Sequence, residues 1–156
     1  MTIAPKDRYF EDYRVGEVMQ YGQYRITAEE IIEFASRYDP QPFHLDEQAG
    51  RDSHFGGLVA SGWMTGSVMM RMMTDHYLSR VASMGSPGLD EIRWLAPVRP
   101  GDVLCVRSTV LDARASRSKP DRGVIWSEHQ VLNQNGEVVM TVKGMGMYRR
   151  RGAAAG

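Results

Sequence analysis

One long apolar segment without proline is followed by four strand-like segments, and this order constrains the fold more than any other feature of the chain. Residues 59–82 are rich in methionine and small residues, and the methionines surround the predicted helix rather than forming one stripe. The four strand-like segments are residues 89–95, 103–111, 124–132 and 138–148. Helices and strands segregated in this way predict an α+β fold, in which a mostly antiparallel sheet curves around a central helix.

The part of the chain before this helix predicts one more strand and a short amphipathic helix. Residues 16–25 form the predicted strand. Thr27 and Glu30 have the spacing of a capping box, in which the threonine hydroxyl caps the helix while the glutamate reaches back to the threonine backbone. Apolar residues then recur at helical spacing, and the helix has to end before Pro40. One further helical turn, closed by a glycine, is predicted over residues 46–50.

Asp39 and His44 form the pair that points most directly to chemistry. Two prolines, Pro40 and Pro42, stand between them. Proline fixes its own φ and pushes the preceding residue toward extended geometry, so we expect a stiff extended loop that aims both side chains at one point. A carboxylate beside an imidazole can take a proton from water near neutral pH. An Asp-Pro pair after a helix also marks an ordinary turn, so the spacing alone leaves both interpretations open.

Composition narrows the classes of protein to consider. The 156 residues fit one domain, and 19 basic residues balance 19 acidic ones, which argues against a nucleic-acid or membrane-surface partner and does not oppose self-association. The single Cys105 allows no intramolecular disulfide. No stretch approaches a signal peptide or the ~20 apolar residues of a membrane span. The expected location is therefore the cytoplasm.

The histidines do not predict a metal site. His54, His76 and His129 have no partner at a known ligand spacing. His44 and its acidic neighbours do not form a recognised metal motif either. We therefore expect no metal and no cofactor.

Several motifs together resemble one protein family. The run that carries the resemblance reads Asp39-Pro40-Gln41-Pro42-Phe43-His44. It is similar to the D-x-N-P-x-H motif of the MaoC-like dehydratases, the (R)-specific enoyl-CoA hydratase family. Four other segments resemble the N-terminal part, the start of the central helix and later turns of that family: residues 10–17, 58–64, 99–102 and 133–137. Gln41 stands where the motif usually has Asn, and Ser61 where hydratases commonly have His.

The resemblance implies a hot-dog fold, in which an antiparallel sheet wraps around a long central helix. It implies one domain over residues 1–156, with residues 148–156 as a flexible tail, in a homodimer or higher homo-oligomer. The implied activity is that of a hydro-lyase of fatty acid metabolism, which reversibly hydrates trans-2-enoyl-CoA thioesters to (R)-3-hydroxyacyl-CoA. An acyl-CoA thioester is then the expected partner, with neither a nucleic acid nor a membrane involved.

The resemblance also assigns roles to residues. Asp39 is the expected base and His44 its partner on the same water. The N–H of Gly62, at the start of the central helix, is the expected donor to the oxyanion, although a glycine there also permits close helix–sheet packing. The expected substrate-binding residues are Gln41, Phe43, Ser61 and Trp63.

Two other functions stay open at this point. A hot-dog thioesterase would release thiol from an acyl-CoA, and a non-catalytic acyl-CoA-binding or assembly subunit would change neither substrate. The intact Asp39 and His44 favour the hydratase, whereas the departures at Gln41 and Ser61 keep the non-catalytic alternative open. A basic stretch is either a solvated loop or a contact for the phosphates of coenzyme A: Arg114, Arg117, Lys119 and Arg122.

Overall fold

The computed structural model describes residues 2–153, in which five strands form an antiparallel sheet. The strands are β1 (Val18–Arg25), β2 (Gly88–Trp94), β3 (Val103–Ala115), β4 (Arg122–Leu132) and β5 (Val138–Arg149). Their spatial order is β1-β3-β4-β5-β2, and each neighbouring pair is antiparallel. The predicted α+β class and antiparallel sheet are therefore confirmed.

Four α-helices complete the fold, together with two short 3-10 turns at Pro5–Asp7 and Phe10–Asp12. The helices are α1 (Ala28–Tyr38), α2 (Pro42–Leu45), α3 (Glu47–Asp52) and α4 (Gly62–His76). The central helix, α4, is shorter at both ends than the predicted range of 59–82. It begins late because Ser61 caps it, accepting a hydrogen bond from the Trp63 N–H. The preceding residues are extended instead, and the Ala60 N–H donates to the Val98 carbonyl at 2.9 Å.

Methionine side chains of α4 fill the space between this helix and the sheet. Met64, Met69, Met72 and Met73 are each no more than 6% exposed, whereas Met70 is 47% exposed, so the expectation of methionine burial on most sides holds except at Met70. Strand β1 approaches the helix closely at Gly22, which has φ +88° at a register shift in the β1–β3 pairing. A Cβ at Gly22 would lie 2.6 Å from the Met72 sulfur, so this position excludes a side chain.

Two local predictions need correction. The Thr27 hydroxyl does accept from the Glu30 N–H at 3.2 Å, but the Glu30 carboxylate binds the Tyr24 hydroxyl instead of reaching back. Strands β3 and β4 extend beyond the predicted ranges 103–111 and 124–132, with Ala115 paired to Gly123. Polar side chains do not end these strands, because the backbone hydrogen bonds of a sheet do not depend on apolar residues.

Residues 148–153 pack against the rest of the fold, contrary to the expected flexible tail. Tyr148 is 6% exposed within β5. The Arg149 N–H donates to the Ala82 carbonyl and the Arg150 N–H to the Asp121 carbonyl, each at 2.8 Å. Residues 154–156 lie outside the described residues. In the described part of the chain, no helix is long and apolar enough to cross a membrane.

Candidate active site

Asp39 stands where α1 ends. Its backbone N–H donates to the Ala35 carbonyl at 2.9 Å, which closes the last turn of the helix. Its φ of −154° and ψ of 68° are not helical, because a proline disfavours helical geometry in the residue before it. The prediction that this helix stops before Pro40 is therefore confirmed.

His44 lies on a single helical turn rather than in an extended loop. Pro42 occupies the first position of α2, and Gln41 precedes it as the N-cap residue with φ −89° and ψ 143°. Proline is tolerated at this position because its missing N–H would have no intrahelical partner there. The two prolines therefore end one helix and begin another, and the expectation of an extended loop from Asp39 to His44 was wrong for its second half.

The turn of α2 brings His44 back to Asp39. The Asp39 Oδ2 and His44 Nε2 atoms are 3.3 Å apart, and the two side chains are 19% and 7% exposed. His44 Nδ1 lies 2.7 Å from the Val59 carbonyl oxygen. A carbonyl only accepts hydrogen bonds, so Nδ1 carries a proton. Nε2 is then the ring atom that faces the carboxylate, as the predicted pairing requires.

Three neighbours lower the pKa of the Asp39 carboxyl group. Gln41 Nε2 donates to Asp39 Oδ1 at 2.7 Å. Burial raises the pKa of Asp39, but hydrogen bonds from Gln41 and Ser61 and the charge of His44 outweigh it, so this pKa lies below its usual value. Asp39 is therefore a carboxylate at neutral pH, in the form that accepts a proton.

Ser61 does not reach the cavity, which corrects its expected role as a substrate-binding residue. Its exposure is 0%. Its hydroxyl caps α4 and stabilises the Asp39 carboxylate. Gln41 is both a partner of Asp39 and a wall of the cavity. Of the two departures from the family motif, Gln41 thus bonds the expected base directly, whereas Ser61 caps the helix that begins at Gly62.

A cavity of about 480 Å³ opens in front of the pair, which is a size typical of small-molecule sites. Its polar side chains are those of Asp39, Gln41, His44 and Thr65. The other lining residues are mostly apolar: Phe43, Phe55, Val59, Ala60, Gly62, Trp63, Trp94, Leu95, Ala96, Pro97 and Val98. Such a cavity suits an apolar ligand with its reacting end at the carboxylate and imidazole.

Gly62 offers an unpaired donor at the edge of this cavity. It is the first residue of α4, and the N–H groups of Met64 and Thr65 both donate to the Ser61 carbonyl. Within residues 2–153, no group accepts a hydrogen bond from the Gly62 N–H. A Cβ at Gly62 would lie 2.5 Å from the Trp94 ring, so glycine also permits close packing here. Gly62 therefore meets the requirements of both interpretations, as an unpaired N–H donor and as a position that allows close packing.

Much of the cavity wall comes from residues that the sequence did not indicate. The segment after β2 supplies Leu95 to Val98, and Phe55 packs on Phe43 with ring centroids 5.2 Å apart. No local pattern could identify these residues, because they reach the site through long-range packing.

In a single chain, the basic stretch of the β3–β4 hairpin is far from this cavity. Trp94 pairs with Met140 in β5, whereas Arg122 pairs with Arg149, nine positions further along the same strand. At about 3.3 Å per residue, that is about 30 Å along β5.

Comparisons with known proteins agree on one group. A family model described as MaoC like domain matches residues 12–130 of this chain. The mesaconyl-CoA hydratase of Cereibacter sphaeroides is 32% identical over 153 residues, which cover 95% of this chain and 43% of that protein. The chain therefore spans less than half the length of this curated relative.

Solved structures extend the similarity to the fold. The MaoC-like dehydratase of Rhodospirillum rubrum is 42% identical, with a TM-score of 0.87 over 92% of this chain and 98% of that chain. A Mycobacterium tuberculosis protein with a double hotdog fold is 17% identical, with a TM-score of 0.81 over 99% of this chain and 48% of that one. At 17% identity, the likeness to the Mycobacterium tuberculosis protein concerns the fold alone. The expected hot-dog fold is confirmed.

Proposed function

The chain belongs to the MaoC-like dehydratase family, and from this premise we propose that it reversibly hydrates trans-2-enoyl-CoA thioesters to (R)-3-hydroxyacyl-CoA. The observation that carries the proposal is the 3.3 Å approach of Asp39 Oδ2 to His44 Nε2 at a cavity that Gly62 also lines. One base, one water-holding imidazole and one oxyanion donor are what this reaction needs.

The first step uses the ionised carboxylate. A water bound by Asp39 and His44 Nε2 loses a proton to Asp39 while its oxygen forms a bond to the β-carbon of the enoyl thioester. The π electrons of the double bond move toward the thioester carbonyl, which becomes enolate-like. The lowered pKa of Asp39 keeps it deprotonated before this step.

The second element is stabilisation of the enolate oxygen. The Gly62 N–H stands at the start of α4, where the helix dipole adds positive potential. A positioned backbone donor of this kind typically contributes ~3 kcal/mol to transition-state stabilisation. The α-carbon then takes the proton back from Asp39, on the face that received the hydroxyl. This syn addition restores the carboxylate, and the net change is one water added across the double bond.

The family and its relatives support a thioester as the substrate. The relative at 32% identity is a mesaconyl-CoA hydratase, which supports a CoA thioester as the substrate. The apolar walls around Phe43, Phe55 and Val98 suit an acyl chain. The (R) configuration rests on the resemblance to the (R)-specific hydratases.

The decisive assay supplies crotonyl-CoA to the purified protein. We expect the absorbance of the conjugated double bond to fall without release of free thiol, and chiral analysis to show the (R) alcohol. Thiol release instead would indicate the thioesterase alternative. Binding of crotonyl-CoA with neither change would indicate a non-catalytic subunit.

The hydrogen bond from Gln41 should set the acid limit of activity. Removing it in Gln41→Ala raises the pKa of Asp39, since that bond favours the ionised form. Because hydration needs the carboxylate, the acid limb of the kcat/KM profile should move to higher pH. Gln48→Ala is the matched control, since Gln48 pairs with the exposed Asp52 on α3. An acid limb in Gln41→Ala that coincides with the wild-type limb would contradict this role.

We also propose a homodimer formed along β2. This strand is at one end of the sheet order, and Leu89 and the following Leu95 are 53% and 56% exposed. Open strand edges with apolar residues favour pairing with another copy. Sedimentation at micromolar concentration should show a dimer that Leu89→Lys dissociates and Leu111→Lys, on the inner strand β3, leaves intact. A monomeric wild-type protein would refute the proposal.

A further inference from the structure

The Trp94 indole lies directly against Gly62. Its Nε1–H donates to the Gly62 carbonyl at 2.9 Å. A Cβ built on Gly62 would stand 2.5 Å from both Nε1 and Cε2 of the indole, which is closer than carbon atoms approach in proteins. The indole therefore occupies the space of the missing side chain, and glycine at 62 and tryptophan at 94 depend on each other.

Burial of the indole in the core does not explain the contact between Trp94 and Gly62. Trp94 is 44% exposed and is the last residue of β2, an outer strand of the sheet. Its backbone is fixed by pairing with Met140, and the next N–H, of Leu95, donates to the Val139 carbonyl at 2.8 Å. The side chain thus reaches from a fixed strand end to the first residue of α4.

A donor at a helix start contributes to catalysis only when its direction is fixed. Glycine has the widest backbone freedom of any residue, and the first turn of a helix has the fewest intrahelical bonds. Trp94 restrains Gly62 both at its carbonyl and at its Cα. The indole packed on the Cα leaves little room for the two peptide planes that flank Gly62 to rotate, and this limits the directions that the N–H can take.

We infer that Trp94 is a positioning residue that holds the Gly62 N–H toward the substrate oxyanion, an inference that rests on the proposed hydratase function. Trp63 supports the indole from a second direction, with ring centroids 5.2 Å apart and planes at 77°. Trp63 is 59% exposed and lines the cavity. Trp94 lines the cavity as well, but its indole N–H is bonded to the Gly62 carbonyl. Trp63 is therefore placed to contact the substrate, and Trp94 acts mainly through Gly62.

The chain has 3 tryptophans, which allows a matched set of substitutions. Trp94→Phe keeps a ring on Gly62 but removes the hydrogen bond. It should lower kcat for crotonyl-CoA hydration about tenfold, the loss that corresponds to one ordinary hydrogen bond, with KM nearly unchanged. Trp63→Phe should act mainly on KM. Trp126→Phe, in β4 and outside the cavity lining, should leave both parameters unchanged.

A second readout separates this inference from the proposed function. The Gly62 amide resonance should shift and its hydrogen exchange should accelerate in Trp94→Phe, but not in Trp126→Phe. If the wild-type protein does not hydrate crotonyl-CoA, the proposed function fails and the amide measurement alone decides whether Trp94 positions Gly62. An unchanged kcat in Trp94→Phe of an active protein, or an unchanged Gly62 amide in an inactive one, would overturn the inference.

Discussion

Asp39→Asn is expected to lower kcat for crotonyl-CoA hydration by about 10² to 10⁴-fold, the range typical of a lost general base. The substitution keeps the size of the side chain and can still hydrogen bond, but an amide does not accept the proton of the attacking water. His44→Ala should cause a loss of similar size, because the same water then lacks the Nε2 contact. The double variant should be little worse than either single one, as for residues that act as a unit.

Thermal unfolding of the same variants distinguishes a catalytic from a structural role. Asp39→Asn should change the melting temperature only modestly, since its side chain is partly exposed. His44→Ala should lower it, because His44 is buried and bonded to the Val59 carbonyl. Asp52→Asn and His76→Ala, both at exposed positions, are the matched controls. Turnover near the wild-type value in both site variants would remove the pair from the mechanism.

Removing the Gly62 N–H is expected to lower kcat by about 10² to 10³-fold, as for other oxyanion donors. Proline at the first helical position removes this N–H and keeps helical geometry, and Ser61 before it already has φ −58° and ψ 139°, which suits a residue preceding proline. The Trp94 ring would clash with any side chain at Gly62, so the comparison is made in a Trp94→Ala background.

Within that background, Gly62→Ala adds a Cβ and retains the N–H, whereas Gly62→Pro adds the Cβ and removes it. The ratio of their kcat values isolates the donor from the change in packing. Because Trp94→Ala already removes the residue that positions this N–H, the ratio should be about tenfold smaller than the loss expected with Trp94 in place. Circular dichroism should show equal helix content in the two proteins. Equal kcat values would assign Gly62 to close packing alone.

The fold could be predicted because its signals are local. Proline at position 40 ends α1, alternating residues mark the strands, and the methionines of α4 show which helix is buried. The limits of the elements were less predictable. Ser61 caps α4 only because the preceding residues bond to Val98, a contact across 38 positions of the chain. Similarly, Ala115 and Arg122 belong to strands because they pair with Gly123 and Arg149, whatever conformation their own side chains favour.

The residues of the candidate site could be predicted from the sequence, but their geometry could not. Asp39 and His44 were identified from the motif, but their approach depends on the α2 turn and on the Val59 carbonyl. Gln41 and Ser61 looked like departures from the family pattern, and only the structure shows that Gln41 bonds the Asp39 carboxylate and that Ser61 caps α4. Trp94 had no local signal, because its contact with Gly62 joins a strand end to a helix start 32 residues apart.

The fate of the oxygen of water tests the central claim most directly. Crotonyl-CoA incubated with the protein in ¹⁸O-labelled water should yield 3-hydroxybutyryl-CoA with one labelled oxygen, located in the C3 hydroxyl. That result places the attack of water on the β-carbon, as the Asp39, His44 and Gly62 assignments require. Label in the carboxylate of a free acid, with thiol released, would place the attack on the thioester carbonyl and contradict the account. Unchanged, unlabelled crotonyl-CoA would contradict it as well.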